Sequence, residues 1–166
     1  MNLNFNPDSN DSKTILSWHA ALIHDRGGRA ELKRARTVTE IIQSPAFHRL
    51  AFMLRPRSQF DSASLERVGV LAGLLAQVDS HDGRKRMAVQ MATGKGGGPA
   101  VSDLRFRRLL QREWHELPDT MRRIIHMLGR KVNLLDLSRA VWYWGDAVKR
   151  DWAFTYFAAT SETEKS

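Results

Sequence analysis

The chain has 166 residues, 42% of them hydrophobic and 27% charged, the profile of a soluble globular protein with one ordinary domain or two small helical halves. It has no cysteine, which excludes disulfides, a thiolate nucleophile and Cys-based zinc or iron–sulfur sites. A formal net charge of +8 points to a polyanionic partner, nucleic acid foremost, because a sustained positive field attracts phosphates.

In chain order the pattern reads helix nearly throughout. Residues 1–11 are polar and are expected to be disordered. "MNLNFNPDSNDSK" has no basic region followed by an apolar run, so it is not read as a signal peptide. No apolar stretch reaches the roughly 18–20 residues that span a bilayer, and the cytoplasm is the expected location. From Ser12 to Asp25, Ile15, Trp18, His19 and Leu22 share one helical face. Gly27-Gly28 is expected to end or bend that helix, and a short basic helix to follow from Arg29 to Arg36. Thr37 or Thr39 is a candidate cap for a brief turn.

Ser44-Pro45 is a helix start, with Ser as N-cap and Pro at the first helical position. Phe47, Leu50, Ala51 and Leu54 form its apolar stripe and Pro56 stops it. The next helix, residues 62–78, is apolar on most sides and reads as the central buried one. Residues 81–101 contain the run Gly94 to Pro99, which opposes regular helix and reads as a linker. Ser102 caps a helix predicted from Asp103 to Leu117. Pro118 and Asp119 open another, ending at Leu128-Gly129. Asn133 with Asp136 starts a last stretch that Gly145 interrupts. No stretch alternates long enough to predict a strand, and no repeat of fixed period is present. The expected fold is all-α: a compact bundle of two adjoining helical halves, 12–80 and 102–160, joined by the Gly-rich linker 81–101 and followed by a disordered tail, 161–166.

The basic residues fall in stripes. Arg29, Lys33 and Arg36 are spaced i, i+4, i+7, with Arg34 beside them. In "SDLRFRRLLQREWHEL", Arg105, Arg108, Arg112 and His115 fall at i, i+3, i+7, i+10, opposite Phe106, Leu109, Leu110 and Leu117. In the next helix Met121, Ile124, Ile125 and Leu128 face inward, with Arg122, Arg123 and His126 outward. Few acids stand within reach for i, i+4 pairs, so these faces fit phosphate contact, for which the planar arginine fork is suited. No ladder of aromatics accompanies them, so the reading is backbone tracking.

Catalytic and cofactor patterns are not met. "ATGKGGG" lacks the GxxxxGK[ST] order and a preceding strand. "HELPD" lacks the second His of HExxH. His24-Asp25 and His81-Asp82 resemble the ligand pairs of HD-type metal phosphohydrolases, yet His19 and His24 sit on different helical faces. No catalytic residue, metal ligand or cofactor is assigned. Trp144, Val148, Trp152 and Tyr156 step by four, the spacing of a core stripe.

The order of these segments is informative: a Trp in the first helix, "GGRAELKRAR", "SPAFHRL", a Gly-rich link, "SDLRFRRLLQ", "MRRIIHMLG" and "RAVWYWGDAVKRDWAFTYF". Together they resemble the CasB family, the small subunit of the type I-E CRISPR interference complex, Cascade, from about Trp18 to Phe157. The resemblance implies a non-enzymatic, all-helical subunit, present as two head-to-tail copies between the large subunit and the crRNA-bearing backbone. It implies basic surfaces that support the crRNA–target DNA assembly and hold the displaced non-target strand. By motif the implied nucleic-acid contacts are Arg29, Lys33 and Arg34 of "GRAELKRAR", then Arg105, Arg107 and Arg108 of "LRFRRLL", and Arg122 and Arg123 of "MRR". Arg36 and Arg112 join them from the stripe spacing. Arg107 lies off its stripe and is a candidate for a structural ion pair. Two further classes remain: a free-standing helix-turn-helix regulator with its turn at Leu117-Pro118-Asp119, and the HD-like phosphohydrolase.

Overall fold

Side-chain caps set most of the helix starts. Ser9 accepts from the Ser12 amide to begin α1 (Asn10–His24), Asp25 from Gly28 to begin α2 (Arg26–Arg34), and Thr37 from Glu40 to begin α3 (Val38–Ile42). Ser44 caps α4 (Pro45–Leu54) and Asp61 caps α5 (Ser62–Ala76). Each cap satisfies an amide that the helix itself leaves open. The computed structural model describes residues 1–165 and divides into two compact units, Met1–Asp79 and Ser80–Ser166.

In the first unit α5 is the central element. Val68, Leu71, Leu74 and Leu75 on it are buried, and it packs against α1, α2, α3 and α4. Full burial of such side chains is worth about 1.5–3 kcal/mol each relative to exposure. Trp18 adds direction, donating from Nε1 to the Ala46 carbonyl at 2.9 Å and so locking α1 to α4. Residues 1–11, expected to be disordered, are instead part of this unit. Leu3 and Phe5 are buried, and the Asn4 amide donates to Asp11 at 2.8 Å. Arg55 donates to both Asp11 oxygens, at 2.6 and 2.9 Å, and to the Asn2 carbonyl. Burial would raise the Asp11 pKa, but the Arg55 and Asn4 bonds and the Arg55 charge outweigh it and hold the group low. Two apolar anchors and the Asp11–Arg55 bonds tie this polar segment to the unit.

The second unit begins with β1 (Ser80–His81), which pairs in parallel with β2 (Lys131–Val132), Ser80 opposite Lys131 and His81 opposite Val132. These two-residue strands are the departure from an otherwise all-α fold among the described residues. Then come α6 (Met87–Ala92), α7 (Asp103–Leu110), α8 (Leu117–Met127), α9 (Leu134–Trp142) and α10 (Asp146–Lys165). Residues 81–101, read as a linker, lie inside this unit. Met87, Ala88, Met91 and Ala92 are buried, and α6 lies along α10. The glycine run is a closed turn: a Cβ on Gly94 would stand 2.6 Å from the Gly98 carbonyl oxygen, and Gly96 and Gly97 take φ of +92° and +88°. Val101 then returns to the core, its amide donating to Met91 and its carbonyl accepting from the Tyr156 hydroxyl at 2.7 Å.

Phe106 stacks on Tyr156 with ring centroids 3.9 Å apart, joining α7 to α10. Arg86 and Arg139 converge on Asp151 of α10, and Arg139 also reaches Asp136 at 3.1 Å. The Arg86 bond, above all, holds the Asp151 carboxyl below its ordinary range. The predicted tail is helical through Lys165; Ser166 lies outside the described residues. No described helix is long and apolar enough to cross a membrane.

Candidate nucleic-acid interface

In the second unit α7 and α8 enclose a cleft of about 170 Å³ lined by Arg105, Arg108, Arg112, Thr120, Arg123, Ile124 and Met127. Local sequence explains how they meet. Phe106 and Leu109 are buried on one side of α7, which turns Arg105 and Arg108 outward. Met121, Ile124 and Ile125 bury one side of α8, and Arg123 stands at its edge. Thr120, Arg123, Ile124 and Met127 are at i, i+3, i+4, i+7, a single helical face that meets the arginine face of α7.

Arg112 reaches the cleft by a different route from the one its spacing predicts. The helix expected to continue to Leu117 ends at Leu110. The chain then passes through a 3-10 turn over Trp114–Glu116, in which the Glu113 amide donates to Glu116 at 3.0 Å. Trp144 donates from Nε1 to the Arg112 carbonyl at 2.8 Å and fixes this turn. Arg112 lies 3.5 Å from Glu116, and its Nε is buried with no acceptor.

The charge balance of the cleft is one-sided. The side chains of Arg105, Arg108 and Arg123 have no acid partner among the described residues, and Arg105, Arg108 and Arg123 are exposed. A cluster of guanidinium groups that its own fold does not neutralise is a site for anionic oxygen. Arg107 points elsewhere and donates to Asp103 at 2.7 Å, one helical turn back. Arg122 is half-buried and does not line the cleft. Sequence reasoning missed Thr120 and Met127; their i, i+7 relation around Arg123 was the available signal.

The first-unit stripe is reorganised. α2 starts at Arg26, so both glycines lie in its first turn, and a Cβ on Gly28 would collide with the capping Asp25 carboxylate. Arg29, expected outward, turns inward. Its Nε donates to the Ala76 carbonyl at 3.0 Å, and its Nη2 to Val78 at 3.1 Å and to Asp79 at 2.6 Å. Its side chain is 19% exposed. The end of α5 supplies unpaired carbonyls, and the guanidinium satisfies them. Lys33 is half-buried, Arg34 is exposed, and Arg36 is exposed beyond the end of the helix. The predicted line of Arg29, Lys33 and Arg36 therefore does not form, and Arg26, Arg34 and Arg36 are the outward bases of this segment.

The HD pairs have structural work. Asp25 caps α2 and accepts from Arg49 at 2.6 Å. His81 Nδ1 accepts from the Leu134 amide at 3.0 Å, and Asp82 pairs with Arg84 at 3.1 Å. The Arg84 bonds bring the Asp82 pKa down to about 2. Among the described residues no three His, Asp or Glu side chains are grouped to hold a metal ion.

Comparison with known proteins places this geometry. No match was found among curated proteins. One solved chain, from a crystal structure of E. coli Cascade bound to a PAM-containing dsDNA target, superposes with a TM-score of 0.67. The alignment covers 89% of this chain and 97% of that one at 16% identity, a likeness of fold. The family model of CRISPR-associated protein Cse2 matches residues 28–157, most of the chain. The chain therefore belongs to the CRISPR-associated Cse2 family, the CasB family of type I-E Cascade.

Proposed function

We propose that this protein is a non-catalytic small subunit of Cascade that holds single-stranded nucleic acid by its phosphates, steadying the crRNA–target DNA R-loop and the displaced non-target strand in the cytoplasm. The observation that carries this reading is the α7–α8 cleft, with three exposed arginines that no acid neutralises. Its setting is family membership and a fold shared with a chain of DNA-bound E. coli Cascade. In this reading the partners are the crRNA, the two DNA strands, the large subunit, the backbone protein and a second copy of the chain.

The physical logic is simple. R-loop formation exchanges a DNA duplex for a heteroduplex of similar stability, so a few kcal/mol of backbone contact, roughly, tips the balance. The displaced strand varies with every target, so the contacts must ignore base identity, which phosphate contacts do. The helix-turn-helix alternative has less support. Residues 111–116 separate α7 from α8, against a turn of about 3–4 residues in that motif.

The test is binding of the purified chain to a labelled single strand across salt concentrations, with assembly on crRNA and the larger Cascade proteins measured alongside. Replacing Arg105 and Arg108 with Ala is expected to weaken binding on the order of tenfold and to reduce the salt slope by about 2. An unchanged slope, or a chain that fails to join a crRNA-containing complex, would reject the reading.

A further inference from the structure

The α7–α8 cleft has a feature that phosphate contact leaves unused. Its floor is apolar. Ile124 is buried at its base, and Met127, 39% exposed, stands one turn further along α8. A phosphate gains nothing from a methionine thioether or an isoleucine methyl, since its oxygens are polar on every side. The flat face of a nucleobase does gain, and an arginine guanidinium can lie against the opposite face. The cleft is also small: about 170 Å³ is below the roughly 300–1,000 Å³ of small-molecule and cofactor sites. It has room for one flat group, with charge around its rim.

We propose that this cleft seats one unpaired nucleoside of a single strand, its base against Met127 and Ile124 and its flanking phosphates on Arg105, Arg108 and Arg123. This rests on the nucleic-acid reading above and deepens it from phosphate contact to the seating of a base. In a duplex both faces of each base are stacked, so a duplex has no free face to offer. Thr120 adds a hydroxyl at the wall, able to donate to or accept from a base edge or a phosphate. No aromatic side chain lines the cleft, so discrimination among bases is weak and any sequence is accepted. The cleft thus separates single strand from duplex without reading sequence.

The test uses the full chain and fluorescence anisotropy with four probes of equal length: oligodeoxythymidylate, oligouridylate, an abasic deoxyribose oligomer and a duplex. Met127→Gln, at an exposed position, is checked for an unchanged melting temperature. It is expected to weaken binding of an unpaired strand by about three- to fivefold with no change in salt slope, because no phosphate contact is lost. Abasic oligomer and duplex should bind wild type and variant equally. Whichever of the DNA and RNA strands loses more affinity is the strand the cleft takes. If Met127→Gln binds both strands like wild type, or wild type holds the abasic oligomer as tightly as oligodeoxythymidylate, the inference is overturned. Failure of the underlying reading looks different: wild-type binding with no salt dependence, or no binding of any probe.

Discussion

The two basic segments look alike in sequence and end differently in the fold. "GGRAELKRAR" and "LRFRRLLQR" both carry arginines at helical spacing with few acids. In α7 Arg105 and Arg108 stay outward and, with Arg112 from the turn that follows, meet a facing helix that adds a fourth guanidinium, that of Arg123. In α2 the first arginine turns inward and becomes a strut between α2 and the end of α5. The difference lies in the neighbours. α2 packs where α5 ends, against the Ala76 and Val78 carbonyls, and a guanidinium is the side chain best able to reach several acceptors at once. On α7 Arg107 pairs with Asp103, while Arg105 and Arg108 have no acid partner among the described residues. A basic stripe is therefore a binding site only after the acceptors around it have been counted.

The sharpest way to break this comparison is Arg29→Ala. It removes three hydrogen bonds at a side chain that is largely buried and takes the Arg29 donor from the Ala76 carbonyl, while the Val78 carbonyl keeps His19, so the expected loss is about 2 kcal/mol of stability. The Asp79 contact adds little of this, since that carboxylate is half-exposed. Chemical denaturation should show the loss, while the affinity of the folded variant for a single strand stays within about twofold of wild type. Arg108→Ala should show the mirror image: unchanged stability and weaker, less salt-dependent binding. A variant at Arg29 that melts normally but loses oligonucleotide would erase the distinction between the two segments.

A smaller effect is expected from Trp144→Phe. Trp144 packs edge-to-face on Trp152 with centroids 5.7 Å apart and donates to the Arg112 carbonyl at 2.8 Å. Phenylalanine keeps most of the packing and loses the donor, at a cost of about 1 kcal/mol. Since this bond fixes the turn that delivers Arg112, binding should weaken about two- to threefold, although Trp144 is not among the cleft-lining residues. Stability loss without any change in binding would mean that Arg112 takes no part in the interface.

What could be read from sequence follows the range of the interaction. Ser44-Pro45, Ser102 and Asn133 act within three residues, and each starts a helix where its local chemistry says. Trp152 and Tyr156 announced a buried stripe through spacing alone. The inward turn of Arg29 is not legible locally, because its partners lie 47 to 50 residues away. The glycines do oppose regular helix, as their chemistry says, but Met87 and Met91 on one side, and Val101 on the other, make 81–101 part of the core and not a linker. In the candidate site the arginines of α7 were legible as a face. Their meeting with Thr120 and Met127 was not, since it depends on how two helices lie together.

The smallest expected effect distinguishes two histidines, one from each unit. In the first unit His19 Nε2 faces the Val78 carbonyl at 2.8 Å and must donate, a bond that protonation leaves in place. In the second, His81 Nδ1 accepts from the Leu134 amide at the start of α9, which requires the neutral ring. Desolvation lowers the His81 pKa, outweighing the opposing charge of Asp82 and the Val132 backbone bond. The sign follows: a folded value below about 6.5 means the contribution is complete above that pH and fades as pH falls from there toward the lowered value. His81→Asn places an amide oxygen where Nδ1 accepts but cannot titrate. Melting temperatures measured from pH 7.5 to 5 should therefore fall less in that variant than in wild type, the other histidines acting equally in both. Because His81 is not among the cleft-lining residues, oligonucleotide binding by the folded variant should not differ. Parallel melting curves in the two proteins would mean that the His81–Leu134 bond does not hold the start of α9.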